Sequence, residues 1–115
     1  MNPVILGVRS LDETFETVRQ VWRTGRRQPA ARINFATAAL LWQVLTAKRW
    51  EILQAMCGQG PLTIRDIARR VYRDVKPVHA DVQALLRAGV LDKTEQGRAV
   101  FPYDTIHVDF TLKAA

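Results

Sequence analysis

A mainly helical α+β fold is predicted by three features of the sequence. Apolar residues recur at helical spacing in successive stretches, most of them opened by a Ser, Thr or Asp cap. Short strand-like runs stand near both ends of the chain, and a glycine-bearing turn separates two apolar-rich runs after the last helical stretch. The 115 residues suffice for one domain with a hydrophobic core but not for two of ordinary size. Residues 1–31 therefore read as an N-terminal strand and helix appendage with its linker, and residues 32–115 as the domain. With 48% hydrophobic and 24% charged residues, the composition is that of a globular protein rather than a disordered one.

Taken in order, Val4 to Val8 after Pro3 suits a strand, and Ser10-Leu11-Asp12-Glu13 is a capping box that opens a helix. Leu11, Phe15, Val18 and Trp22 share one face of that helix, which ends near Arg23 and must bury this stripe on its own domain, a second copy or another protein. Thr24 to Ala31 mixes breakers and charge without apolar periodicity and reads as a linker. Arg32 to Phe35 alternates as a half-buried strand does, and Thr37 caps a short helix running to about Leu45. Thr46 caps the next, which turns Trp50, Leu53 and Met56 inward and stops at Gly58, before Gly60-Pro61.

Thr63-Ile64-Arg65-Asp66 is a second capping box, and Ile64, Ile67, Ala68 and Val71 mark the buried face of a two-turn helix. After Tyr72-Arg73, Asp74 caps a helix from Val75 to Ala88 whose apolar positions are Val75, Val78, Val82, Leu85 and Leu86. Pro77 falls in its first turn, where a missing N–H costs nothing. Val90 to Thr94 and Arg98 to Phe101 are strand candidates around Glu95-Gln96-Gly97. Two helices on a tight connection followed by a hairpin form a winged helix-turn-helix, with the hairpin as wing. Ile106 to Leu112 alternates strictly, and its apolar face needs a partner such as the Arg32 to Phe35 strand, in the same or another copy.

The span Leu62 to Lys93 resembles the winged helix-turn-helix of bacterial and archaeal regulators related to the MarR and ArsR groups. The matching residues are Leu62-Thr63-Ile64-Arg65-Asp66-Ile67-Ala68, Val78-His79-Ala80-Asp81-Val82 and Leu85-Leu86-Arg87-Ala88-Gly89-Val90-Leu91. Through Leu45 to Glu51 and Pro102 to Phe110, the span Arg32 to Leu112 also resembles a family of short prokaryotic proteins described as predicted transcriptional regulators. Members of such families are sometimes encoded beside a small toxin, so the resemblance also implies an antitoxin that represses its own operon.

A net charge of +6 and a pI near 10.2 favour an anionic partner, double-stranded DNA first. On the 75–88 helix, Lys76, Ala80, Gln83 and Arg87 lie opposite the apolar face, with Pro77 and His79 toward its flanks, forming a groove-facing surface. His79 reads equally as a groove contact or a partly buried residue. Lys76 suits guanine or phosphate and Gln83 suits adenine, while the small Ala80 makes base readout sparse and specificity modest. Arg65, Arg69, Arg70 and Arg73, with Lys93 and Arg98 on the wing, are candidate phosphate clamps. A homodimer on two half-sites is the natural way to gain affinity. The alternative function is a protein-interaction module that binds a toxin through residues 4 to 24.

Arg23, Arg26, Arg27 and Arg32 read as a solvated linker, Trp22, Trp42 and Trp50 as core or interface anchors, and His107 as a sheet residue. Two distant histidines, one cysteine and scattered carboxylates lack the spacing of a metal site or of a nucleophile with its base, and no glycine-rich phosphate loop occurs. Neither enzyme activity nor a cofactor is expected. Cys57 reads as a buried, inert thiol in a reducing cytoplasm, with neither export nor membrane insertion expected.

Overall fold

A computed structural model describes residues 2–9, 19 and 31–111, which fold as an α+β unit with four helices and two small sheets among the described residues. The elements are β1 (Pro3–Val8), β2 (Ala31–Phe35), α1 (Ala38–Val44), α2 (Ala47–Met56), α3 (Ile64–Val71), α4 (Val75–Arg87), β3 (Asp92–Lys93), β4 (Ala99–Val100) and β5 (Thr105–Asp109). No helix among the described residues is long and apolar enough to cross a membrane.

The larger sheet has the order β2-β1-β5, with both pairings parallel. The final strand was expected to partner the Arg32 to Phe35 strand; instead β1 lies between the two. The physical reason is burial. Pro-Val-Ile-Leu-Gly-Val is an almost continuous apolar run, suited to a strand flanked on both sides, whereas β2 and β5 alternate as edge strands with a wet face do. Val4 and Leu6 are fully buried in the main core, so the 1–31 segment supplies the sheet's middle strand. Its start is pinned to the other end of the chain: Asn2 N–H donates to the Asp104 carboxylate (3.0 Å), the Asp104 N–H donates to the Asn2 carbonyl (3.0 Å), and the Asn2 amide donates to the Pro102 carbonyl.

Gly7 lets the Arg32 side chain lie close over this sheet. A Cβ there would come within 2.5 Å of the Arg32 guanidinium, which lies across β1 while its Nε donates to Asn34 Oδ1 at 3.3 Å. Arg32 is thus a half-buried sheet residue rather than part of a solvated linker. Partial burial first, and Arg9 next, lower its affinity for a proton, while Asp109 opposes both. The expected helix bearing Leu11, Phe15, Val18 and Trp22, the linker up to Ala30, and Leu112 lie outside the described residues.

The helices form where caps and periodicity agree. Thr37 and Thr46 accept from the backbone N–H groups of Leu40 and Arg49 (3.1 and 3.3 Å) at the starts of α1 and α2. Leu41, Ile52, Leu53 and Met56 are fully buried, but Trp50 is only half-buried and Trp42 is exposed. The chain leaves α2 at Cys57, expected to be buried; it is half-exposed, and its thiol donates to the Tyr103 carbonyl at 3.4 Å. Partial burial, with help from Asp104, raises its pKa, so it stays a thiol.

Strand pairing in the hairpin is shorter than expected, two residues on each side, because Val90, Leu91 and Phe101 turn into the core rather than along a ladder. Leu62 adds a third, antiparallel bridge by exchanging hydrogen bonds with Ala99 at 2.8 and 3.0 Å. Similarly, β5 stops at Asp109, with Phe110 and Thr111 beyond its end.

Candidate nucleic-acid interface

The α3–α4 pair begins with a complete capping box. The Thr63 hydroxyl accepts from the Asp66 N–H (3.1 Å), and the Asp66 carboxylate accepts from the Thr63 N–H (3.4 Å). The hydrogen bonds from Thr63, with smaller help from Arg69 and Arg70, hold the Asp66 carboxyl below its ordinary value of 3.8. A carboxyl depressed in the native state stabilises the fold above its unfolded pKa. The box therefore contributes fully at neutral pH and is lost as pH falls through the lowered native value.

The helix ends at Tyr72, which takes up a left-handed backbone conformation (φ 56°) and leaves its side chain 94% exposed. Its N–H and that of Arg73 close the last turn onto the Arg69 and Ala68 carbonyls (3.3 and 3.0 Å). A second lock comes from Asp81 on α4, whose carboxylate accepts from Arg73 Nη2 at 2.9 Å and from Arg49 Nε at 3.1 Å. Arg49 also reaches back to the Gln43 and Val44 carbonyls (3.3 and 3.2 Å). One carboxylate thus joins α2, the turn and α4 through three side chains, each less than a quarter exposed.

On α4, Val78, Val82 and Leu85 are fully buried and Leu86 is half-buried, whereas Val75, expected to be buried, is 45% exposed because it stands at the helix start beyond the core. Asp74 occupies the N-cap position without a side-chain capping bond. Opposite the core run Lys76, His79, Ala80 and Arg87, all exposed, and the half-buried Gln83. Exposed Pro77 helps to line an open depression of about 570 Å³ with Ala68, Arg69, Tyr72, Arg73 and Asp74.

The basic residues fall into two groups. Arg65, Arg87, Lys93 and Arg98 are exposed, as are Arg69 and Arg70, which bond Asp66 (2.7 Å) and Gln59 (2.9 Å). Both of these contacts lie in water and can be exchanged for a phosphate at little cost. Arg73 differs: it is largely buried and committed to Asp81, so it holds the turn rather than standing free as a candidate phosphate contact. Sequence reasoning passed over Tyr72, the exposed aromatic directly after α3. It also missed the Arg49–Asp81–Arg73 lock, which has no local spacing signature.

No curated protein and no solved structure matches the chain. A family model, HVO_A0114, matches residues 44–108, which take in α2, the α3–α4 pair, the hairpin and nearly all of β5. That match spans more than half of the sequence, and the chain belongs to the HVO_A0114 family.

Proposed function

We propose that the chain is a DNA-binding transcriptional regulator whose α2-to-β4 region is a winged helix-turn-helix, with α4 entering the major groove and the β3–β4 hairpin lying beside it as the wing. The observation that carries this reading is the two-sided character of α4. Its core side is sealed by Val78, Val82 and Leu85, while Lys76, His79, Ala80, Gln83 and Arg87 make a continuous outer stripe. The order helix, bridge at Leu62, helix, helix, hairpin supports it, because a winged helix uses the same order with a short third strand pairing the hairpin. Arg65, Arg69, Arg70, Lys93 and Arg98 clamp phosphates around that helix.

Tyr72 belongs to this surface. A non-glycine residue in the left-handed region costs about 1 kcal/mol, offset here by the turn that closes α3, and the side chain is left facing outward. Its phenol projects from the turn into solvent, where it can donate to a phosphate oxygen. Tyr72→Gly is therefore expected to raise stability by about 0.5–1 kcal/mol while weakening DNA binding, measured by thermal melts and duplex titration. Unchanged DNA binding would remove Tyr72 from the interface.

The reading is tested by fluorescence anisotropy of a labelled duplex from the gene's own upstream region against a scrambled duplex, for wild type and Lys76→Ala/Gln83→Ala. Preference for the upstream duplex, lost in the double variant, is expected. No binding to either duplex at low salt would refute it.

A further inference from the structure

One edge of the main sheet ends on β5, and no described strand pairs with its outer side. The residues Thr105-Ile106-His107-Val108-Asp109 include neither proline nor lysine, the usual means of blunting an exposed edge. Beside it the surface is apolar. Trp42, Leu45, Ala47, Trp50 and Val108 line a groove of about 410 Å³. Trp42 is 52% exposed and packs edge-to-face on Phe110, itself 40% exposed, with ring centroids 5.4 Å apart.

We propose that β5 is the self-association edge of this protein, and that a second copy adds its own β5 antiparallel to it, continuing the sheet across a two-fold axis. The strand is self-complementary in the register centred on Val108. His107 then faces the partner's Asp109, and the reciprocal pair repeats across the axis. On the other face of the sheet, Val108 meets its own counterpart and Ile106 meets the partner's Phe110, so apolar groups oppose apolar groups. A parallel, in-register pairing would instead stack Asp109 on its like, which cross-strand energetics disfavour. The two-fold axis also brings the partner's Phe110 and Trp42 toward the groove beside Val108, covering an aromatic surface that is exposed in the single chain.

A two-fold dimer suits two operator half-sites, a consequence that rests on the DNA reading; self-association itself does not, so it is measured without nucleic acid. In sedimentation velocity over a concentration series, the full-length wild type is expected to dimerise reversibly. His107→Glu, which places Glu against Asp109 twice, should weaken the dimer about tenfold or more. The double variant His107→Glu/Asp109→Lys, which reverses both pairs, should restore it. Trp42→Ala should weaken the dimer without altering charge. Circular dichroism checks that each variant folds, and if His107→Glu does not, Asp109→Lys alone breaks the same pairs and carries the test. A wild type that stays monomeric throughout would overturn the proposal. So would a dimer indifferent to these substitutions, or one that His107→Glu weakens and the reversed pair fails to rescue.

Discussion

Replacing Asp81 by Ala is expected to lower stability by about 2–3 kcal/mol and the melting temperature by roughly 10 °C. The Asp81 side chain is only 17% exposed and neutralises two arginines, Arg73 at 17% and Arg49 at 22% exposure. Without the carboxylate, two guanidinium groups would remain partly desolvated with no counter-charge. Arg73 Nη1 is buried and has no hydrogen-bond partner among the described residues, so this guanidinium depends on Asp81 for its counter-charge. Removing one partner of a largely buried pair costs more than the pair's net worth, because the orphaned charge keeps its desolvation penalty. The contrast is Arg69 with Asp66, whose side chains are 77% and 39% exposed; water screens that contact, and Arg69→Ala should leave the melt nearly unchanged. Asp81→Asn keeps one acceptor oxygen and should fall between Asp81→Ala and wild type. Thermal unfolding followed by circular dichroism reads all three. If Asp81→Ala melts with the wild type, the lock does not hold the turn against α4.

The second large effect follows from the proposed DNA reading. With about five or six exposed cations neutralising phosphates, log affinity is expected to fall against log salt with a slope of about −5, or about a thousandfold from 50 to 200 mM. Lys76→Ala should make that slope shallower by about one and weaken all duplexes alike if Lys76 meets phosphate. Gln83→Ala should leave the slope intact and cost about 1–3 kcal/mol on the preferred sequence alone if Gln83 reads a base. Gln83 is half-buried on the outer stripe, and its amide carries both a donor and an acceptor. Anisotropy titrations at several salt concentrations separate the two roles. A flat salt response would mean that the arginine and lysine side chains of α3, α4 and the hairpin do not touch phosphate.

Much of the helical part was legible because local chemistry and tertiary packing agree there. Thr37, Thr46 and Thr63 stand at the caps they were expected to occupy, and Ile67, Val78, Val82 and Leu85 face the core as their spacing predicts. The sheet was less legible, because a parallel pairing joins residues far apart in sequence and leaves no turn signature. The clue lay in β1, whose unbroken apolar run contrasts with the alternation of Ile106, Val108 and their exposed neighbours in β5. For the candidate interface, the outer stripe of α4 follows from period alone. Arg73 was misassigned because charge and position suggest a phosphate contact, whereas its partner Asp81 is met only once the turn has folded. Tyr72 escaped because nothing in a sequence marks a left-handed backbone at a tyrosine.

The most direct test of the DNA reading is to titrate the isotopically labelled full-length protein with the upstream duplex and follow backbone amide shifts by NMR. The largest changes are expected at Tyr72, along Lys76 to Arg87 and at Lys93 to Arg98, with the amides of β1 and β2 little moved. Shifts confined to the β2-β1-β5 sheet, or no shifts at low salt, would contradict the claim that α4 is the surface that meets DNA.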